Sequence, residues 1–165
     1  MKTRLYTFIL LAFLTKTIDA QTYKAGSTYL GKNEYTEYRA GNLPIIITAP
    51  HGGRLEPTTI PDRTCATCTT VMDANTMELA YQIDTAIRQV FGCYPHIIIN
   101  RLHRIKLDAN REIVEAANGS PDAETAWREW HQYIQAAKDS TVKRYGRGLL
   151  IDATRFVSLR VDCFC

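Results

Sequence analysis

The chain is short of the features that mark specialised protein classes. After Ala20 no stretch is long and apolar enough to cross a bilayer as a helix. No dense block of lysine and arginine is interleaved with aromatic residues, which argues against a nucleic-acid partner. No internal repeat and no low-complexity linker is present, which excludes solenoids and arrays. Histidine is scarce, and none follows His131. No second Cys/His pair stands at zinc-ribbon or zinc-finger spacing from Cys65 and Cys68. The 165 residues suffice for one domain of modest size.

The amino terminus has the organisation of a secretory leader. Lys2 and Arg4 open it, Leu5 to Leu14 is a short apolar run, and Ile18-Asp19-Ala20 ends on a small residue. The expected mature protein starts near Gln21 and is secreted, with no membrane association once residues 1–20 are removed. Lys16 also lies in the leader, so the net charge of +3 is partly the leader's own. Five cysteines in an oxidising compartment point to disulfides, and an odd number leaves one over. For Cys65-Ala66-Thr67-Cys68 the disulfide reading is preferred to half a zinc site. Asn118-Gly119-Ser120 is a glycosylation sequon followed by Pro121.

Pro44 to Ala49 reads as a buried strand, and Pro50-His51-Gly52-Gly53 follows it directly. The glycines allow a sharp turn and a close backbone approach. His51 then stands at a strand's carboxyl end, where open α/β sheets place ligands. Tyr35–Tyr38 alternates as a strand, and Ala40-Gly41-Asn42 supplies a turn, so a hairpin with Ile45–Thr48 is expected. The long polar connection from Arg54 to Met72 is expected to be functional or disulfide-pinned.

Apolar residues from Met77 to Phe91 recur at helical spacing, with Asp73 or Asn75 as cap and Gly92 as stop. His96–Ile99 is a second buried strand, completing a βαβ unit with a parallel sheet. Ser120-Pro121 starts a helix that runs to about Tyr145, in which His131 is a packing residue. Gly148–Asp152 is a third buried strand. The fold class is therefore α/β, with a parallel or mixed sheet around a βαβαβ core and an extra amino-terminal strand. His51, Asn100–Arg104 and Asp152 all stand at strand ends along one edge. Arg101, Arg104, Lys106 and Arg111 crowd the second of these, and arginine forks match carboxylates. The plainer alternative is an ion-pair network with Asp108 and Glu112.

Three segments resemble the N-formylglutamate amidohydrolase family: Ala49-Pro-His51-Gly-Gly53, Asp73-Ala-Asn-Thr76-Met-Glu78-Leu-Ala80, and Asn100-Arg101-Leu-His103-Arg104-Ile-Lys106-Leu-Asp108-Ala-Asn110-Arg111. The resemblance covers about Pro44 to Asp152 and is closest to a secreted branch. It implies a phosphorylase/hydrolase-like fold related to zinc carboxypeptidases, and zinc-dependent hydrolysis of N-acyl amino acids such as N-formylglutamate. His51 would be a zinc ligand and Asp73 the second, with Glu56 as its alternative. Arg101, Arg104, Asn110 and Arg111 would hold the carboxylate of a small substrate. No catalytic residue is named.

The pattern departs from the family after Asp152. A histidine expected there as third ligand is absent, as is the general-base carboxylate, and residues 153–165 resemble nothing that should follow. His103, amid cations, is a poor replacement. The resemblance thus implies a domain over 21–152 that is incomplete at its carboxyl end, with an uncovered edge strand and a divergent tail. The alternative function is a non-catalytic secreted protein that binds a carboxylate ligand or partner through the arginine cluster.

Overall fold

The computed structural model describes residues 22–154 and the backbone of 160–164. The expected leader, and most of the side chains in the expected divergent tail, lie outside the described residues. The strands are β1 (Thr28–Leu30), β2 (Thr36–Arg39), β3 (Ile45–Ala49), β4 (His96–Asn100), β5 (Gly148–Asp152) and β6 (Arg160–Phe164). The helices are α1 (Thr76–Phe91), α2 (Ile113–Ala117) and α3 (Pro121–Tyr145). All six strands join one mixed sheet in the order β1-β2-β4-β3-β5-β6. The central β4, β3 and β5 are parallel; the outer strands pair antiparallel. The α/β class and the βαβαβ core are those expected.

Alternation along the central strands builds two cores. Ile45, Ile47, Ala49, Ile97, Ile99 and Ile151 meet Met77, Ala80 and Ile83 of α1. Ile46, Ile98 and Leu150 point the other way, onto Trp130, Tyr133 and Ala137 of α3. Successive strand residues face opposite sides, so a strand covered on both faces must be apolar throughout. Ile97, Ile98 and Ile99 are fully buried, each burial being worth about 1.5–3 kcal/mol against exposure. A third cluster, around Ile60, Leu102, Leu107, Ala116 and Ala123, seats the long connection after β3 against α2 and the start of α3. Cys65 and Cys68 form a disulfide within that connection, and Cys93 is free. Among the described residues no helix is long and apolar enough to cross a membrane.

Two expectations are corrected and one is refined. β2 does not form a hairpin with β3: it pairs with β1 on one side and β4 on the other. Both edges of β3 are taken by the parallel strands β4 and β5, so a sequence neighbour has no place beside it. Asn75 stands at the N-cap of α1, but in left-handed geometry and without a side-chain cap bond, and Asp73 turns towards His51. The edge of β5 is not uncovered, because β6 pairs with it from Gly148↔Phe164 to Asp152↔Arg160. The other helix ends follow expectation. Ser120 Oγ accepts from the Ala123 N–H at 3.4 Å with Pro121 next to it, and Gly92 closes α1 at φ 63°.

β3 and β4 are linked through α1 on one face, β4 and β5 through α3 on the other. The connections leaving the carboxyl ends of the adjacent strands β3 and β4 therefore run to opposite faces, and such a switch point opens a crevice between those ends. His51 lies in this position.

Candidate functional site

β3 delivers His51 into the sheet's crevice, and the two following glycines permit the approach. A Cβ on Gly53 would land on the Arg101 carbonyl, and one on Gly52 would press on Thr76 and Met77 at the start of α1. The end of β4 is tied to the same turn: Asn100 Nδ2 donates to the Pro50 carbonyl at 2.7 Å.

His51 is 3% exposed and lies between two carboxylates. Its Nε2 is 2.7 Å from Asp108 Oδ1 and its Nδ1 is 3.3 Å from Asp73 Oδ2. The Asp73 N–H also donates to the His51 carbonyl at 2.9 Å. A neutral imidazole has one N–H and one lone pair. It can donate to only one of these acids, so the second contact requires another proton, on the ring or on the acid, or a cation between the atoms.

Arg104 braces both acids, with Nε 2.9 Å from Asp108 Oδ2 and Nη1 3.5 Å from Asp73 Oδ1. Asp108, 1% exposed, also accepts the Asn110 N–H at 3.2 Å and has Arg63 at 3.9 Å. Burial alone would push its carboxyl pKa up. The bond and charge of His51 and the Arg104 guanidinium overcome this and hold it well below the usual carboxylate range. The network continues to β5: Asn110 Nδ2 donates to Asp152 Oδ2 at 2.8 Å, and Thr48 Oγ1 to Asp152 Oδ1 at 2.8 Å. An open cleft beside it is lined by Ala74, Thr76, Glu78, Leu79 and Thr154.

Four of the expected site residues, His51, Asp73, Arg104 and Asn110, thus come together, and three do not join them. Glu56 reaches His103 at 3.8 Å. Arg101 pairs with Glu34 at 3.5 Å and shares a separate depression with Tyr35, Leu55 and Glu56. Arg111, half exposed, pairs with Glu115 at 3.6 Å. His131 packs on Trp127 with ring centroids 4.0 Å apart.

Two contributors were not singled out from the sequence. The sequence marks Asp108 only as an ion-pair partner, although it stands in the polar run after β4. Arg63 left no local signal. It is buried, donates to the carbonyls of Thr69, Arg104 and Glu115, and ties the long connection to the site.

The donor set can be tested against zinc. In tetrahedral coordination, Zn–N and Zn–O bonds of about 2.0–2.2 Å put two ligand atoms about 3.4 Å apart. The 3.3 Å between His51 Nδ1 and Asp73 Oδ2 matches that edge. Asp108 on Nε2 would be the outer carboxylate that orients a metal-binding histidine. Among the described residues, no third histidine, cysteine, aspartate or glutamate offers an atom that completes a three-donor set with this pair. The residues present therefore fit two protein ligand positions of a zinc site, one fewer than a catalytic zinc ordinarily has. No protein-family model, curated protein or solved structure matches the chain.

Proposed function

We propose that this chain carries a hydrolase-type site for N-acyl amino acids, N-formylglutamate among them, on a secreted protein of the amidohydrolase type. The observation that carries the reading is His51 held between Asp73 and Asp108 at the carboxyl ends of parallel strands. His51 and Asp73 would hold zinc, with water and substrate in the remaining positions. Zinc bound there would supply Lewis acidity and a water of lowered pKa.

The chain's own residues have separable tasks. Asp108 fixes the ring of His51 so that Nδ1 faces Asp73. Arg104 holds both acids in place. Asn110 ties the loop after β4 to Asp152 at the end of β5, which sets the width of the crevice. Of the arginines expected to meet a substrate carboxylate, Arg104 is the one that stands beside Asp73 and Asp108. Two protein ligands would hold zinc only loosely, so that it would exchange with buffer.

The test uses purified protein with its disulfide kept intact, in zinc-containing buffer. Elemental analysis after rapid desalting should find zinc in the native chain and less in His51→Ala. N-formylglutamate should be hydrolysed, and a chelator should stop the reaction. A folded, monodisperse protein with neither zinc nor hydrolysis would sink the reading. A second reading, a non-catalytic binder of small carboxylates, is favoured by the absent third donor. Its mark is carboxylate binding that survives chelation and is lost in Arg104→Ala.

A further inference from the structure

The long connection after β3 brings Cys65 and Cys68 against α2. The two sulfur atoms and a carboxylate oxygen of Glu115 all lie within 4.8 Å of one another. Cys65 and Glu115 are exposed and Cys68 is partly exposed. In the sequence Cys65-Ala-Thr-Cys68 lacked further ligands; Glu115, far along the chain, supplies one. Two thiolates and a carboxylate are the donor types that suit a thiophilic divalent ion, with an open fourth position.

We infer that the Cys65–Cys68 disulfide masks a second metal site, in which reduction frees two thiolates to bind a thiophilic divalent cation together with Glu115. A dithiol reductant transfers two electrons and two protons to the disulfide, which becomes two thiols while the reductant closes to its own disulfide. The metal then takes the sulfur atoms as thiolates, and their protons pass to solvent. Arg111 and Arg63, 3.6 and 4.0 Å from the Glu115 carboxylate, hold that carboxylate in place. Exposed disulfides are the ones that reductants reach and that serve regulation.

Arg63 holds the connection through the Thr69 carbonyl and reaches towards Asp108, which fixes the His51 ring. The Cys65–Cys68 site itself stands independently of the function proposed for His51.

The probe is cadmium, whose bond to thiolate gives a charge-transfer band in the ultraviolet. The full chain, with Cys93, Cys163 and Cys165 replaced by serine, is reduced with dithiothreitol, desalted without air and titrated. The reduced protein should develop the band and saturate at about one cadmium per chain, with three donors in one group; the oxidised protein should show none. Removing even an outer partner of a metal ligand costs about tenfold in affinity or more, so Glu115→Gln should weaken cadmium at least that much. Glu115 is an exposed residue on α2, so that variant should fold. Reduced protein that titrates both thiols with a thiol reagent yet gives no cadmium band would overturn the inference. So would a Glu115→Gln variant that binds cadmium as tightly as its parent.

Discussion

Lowering the pH from 7 to 5 should destabilise this protein, and His96 should account for about 2 kcal/mol of the loss. His96 lies on β4, is 2% exposed and stacks on Tyr38. Its Nδ1 accepts the Gly41 N–H at 3.1 Å and faces the Tyr38 hydroxyl at 2.8 Å. A backbone N–H can only donate, so in the neutral ring the proton sits on Nε2 and the Tyr38 hydroxyl donates to Nδ1. Protonating Nδ1 would turn an accepting atom towards a donor. Burial pushes the pKa of His96 down from 6.5 to about 4.

The unfolded chain therefore takes up this proton near pH 6.5, while the folded protein does so only near pH 4. Between those values the unfolded state binds more protons, so stability rises with pH and is lost as pH falls from 6.5 towards 4. At about 1.4 kcal/mol per tenfold, the full loss is about 3 kcal/mol, with about 2 kcal/mol already gone at pH 5. Urea denaturation at pH 7 and pH 5 measures it. His96→Asn is the comparison, because its side-chain oxygen can still accept from Gly41 and does not titrate. His131 is also pushed down by burial and contributes in the same direction, so the difference between parent and variant isolates His96. Equal losses of stability in the two proteins over this pH interval would refute the argument.

Other substitutions test the site and its supports. Asp108→Asn should cost about 3 kcal/mol in denaturant unfolding at neutral pH, because it strips the partner from charges that are largely buried. The stability owed to the depressed Asp108 carboxyl should persist above the ordinary carboxylate range and fade as the pH falls below about 4, a more acidic window than that of His96. Gly53→Ala should lower stability by about 1–3 kcal/mol, since its methyl group meets backbone at Arg101 and Asn100 that cannot rotate away. Ser120→Ala should cost about 1 kcal/mol through the lost cap on α3, read as a shift of the urea midpoint.

The local pattern of residues settled the elements of this protein. Ile45–Ala49 and His96–Ile99 are apolar on both faces, and only a strand covered on both sides calls for that. The spacing from Met77 to Phe91, the Gly92 stop and the Ser120-Pro121 start marked two helices, because helical periodicity and capping act over a few residues. His51 and Asp152 were visible as chemistry at strand ends once a parallel sheet was inferred.

Tertiary structure decided which segments meet. Nothing near Thr36–Arg39 states that β4 rather than β3 is its neighbour, since a pleated strand can pair with any free edge. Residues 160–164 became an edge strand because β5 had an edge to offer. Asp108 meets His51, and Glu115 meets Cys65 and Cys68, only after the chain closes long loops. Arg101 lay within the same polar run as Arg104 yet points to Glu34, because successive residues leaving a strand diverge in direction. Hydrophobic pattern specifies how much surface each element must bury and on which side; the geometry of packing then fixes which charged groups are left facing one another.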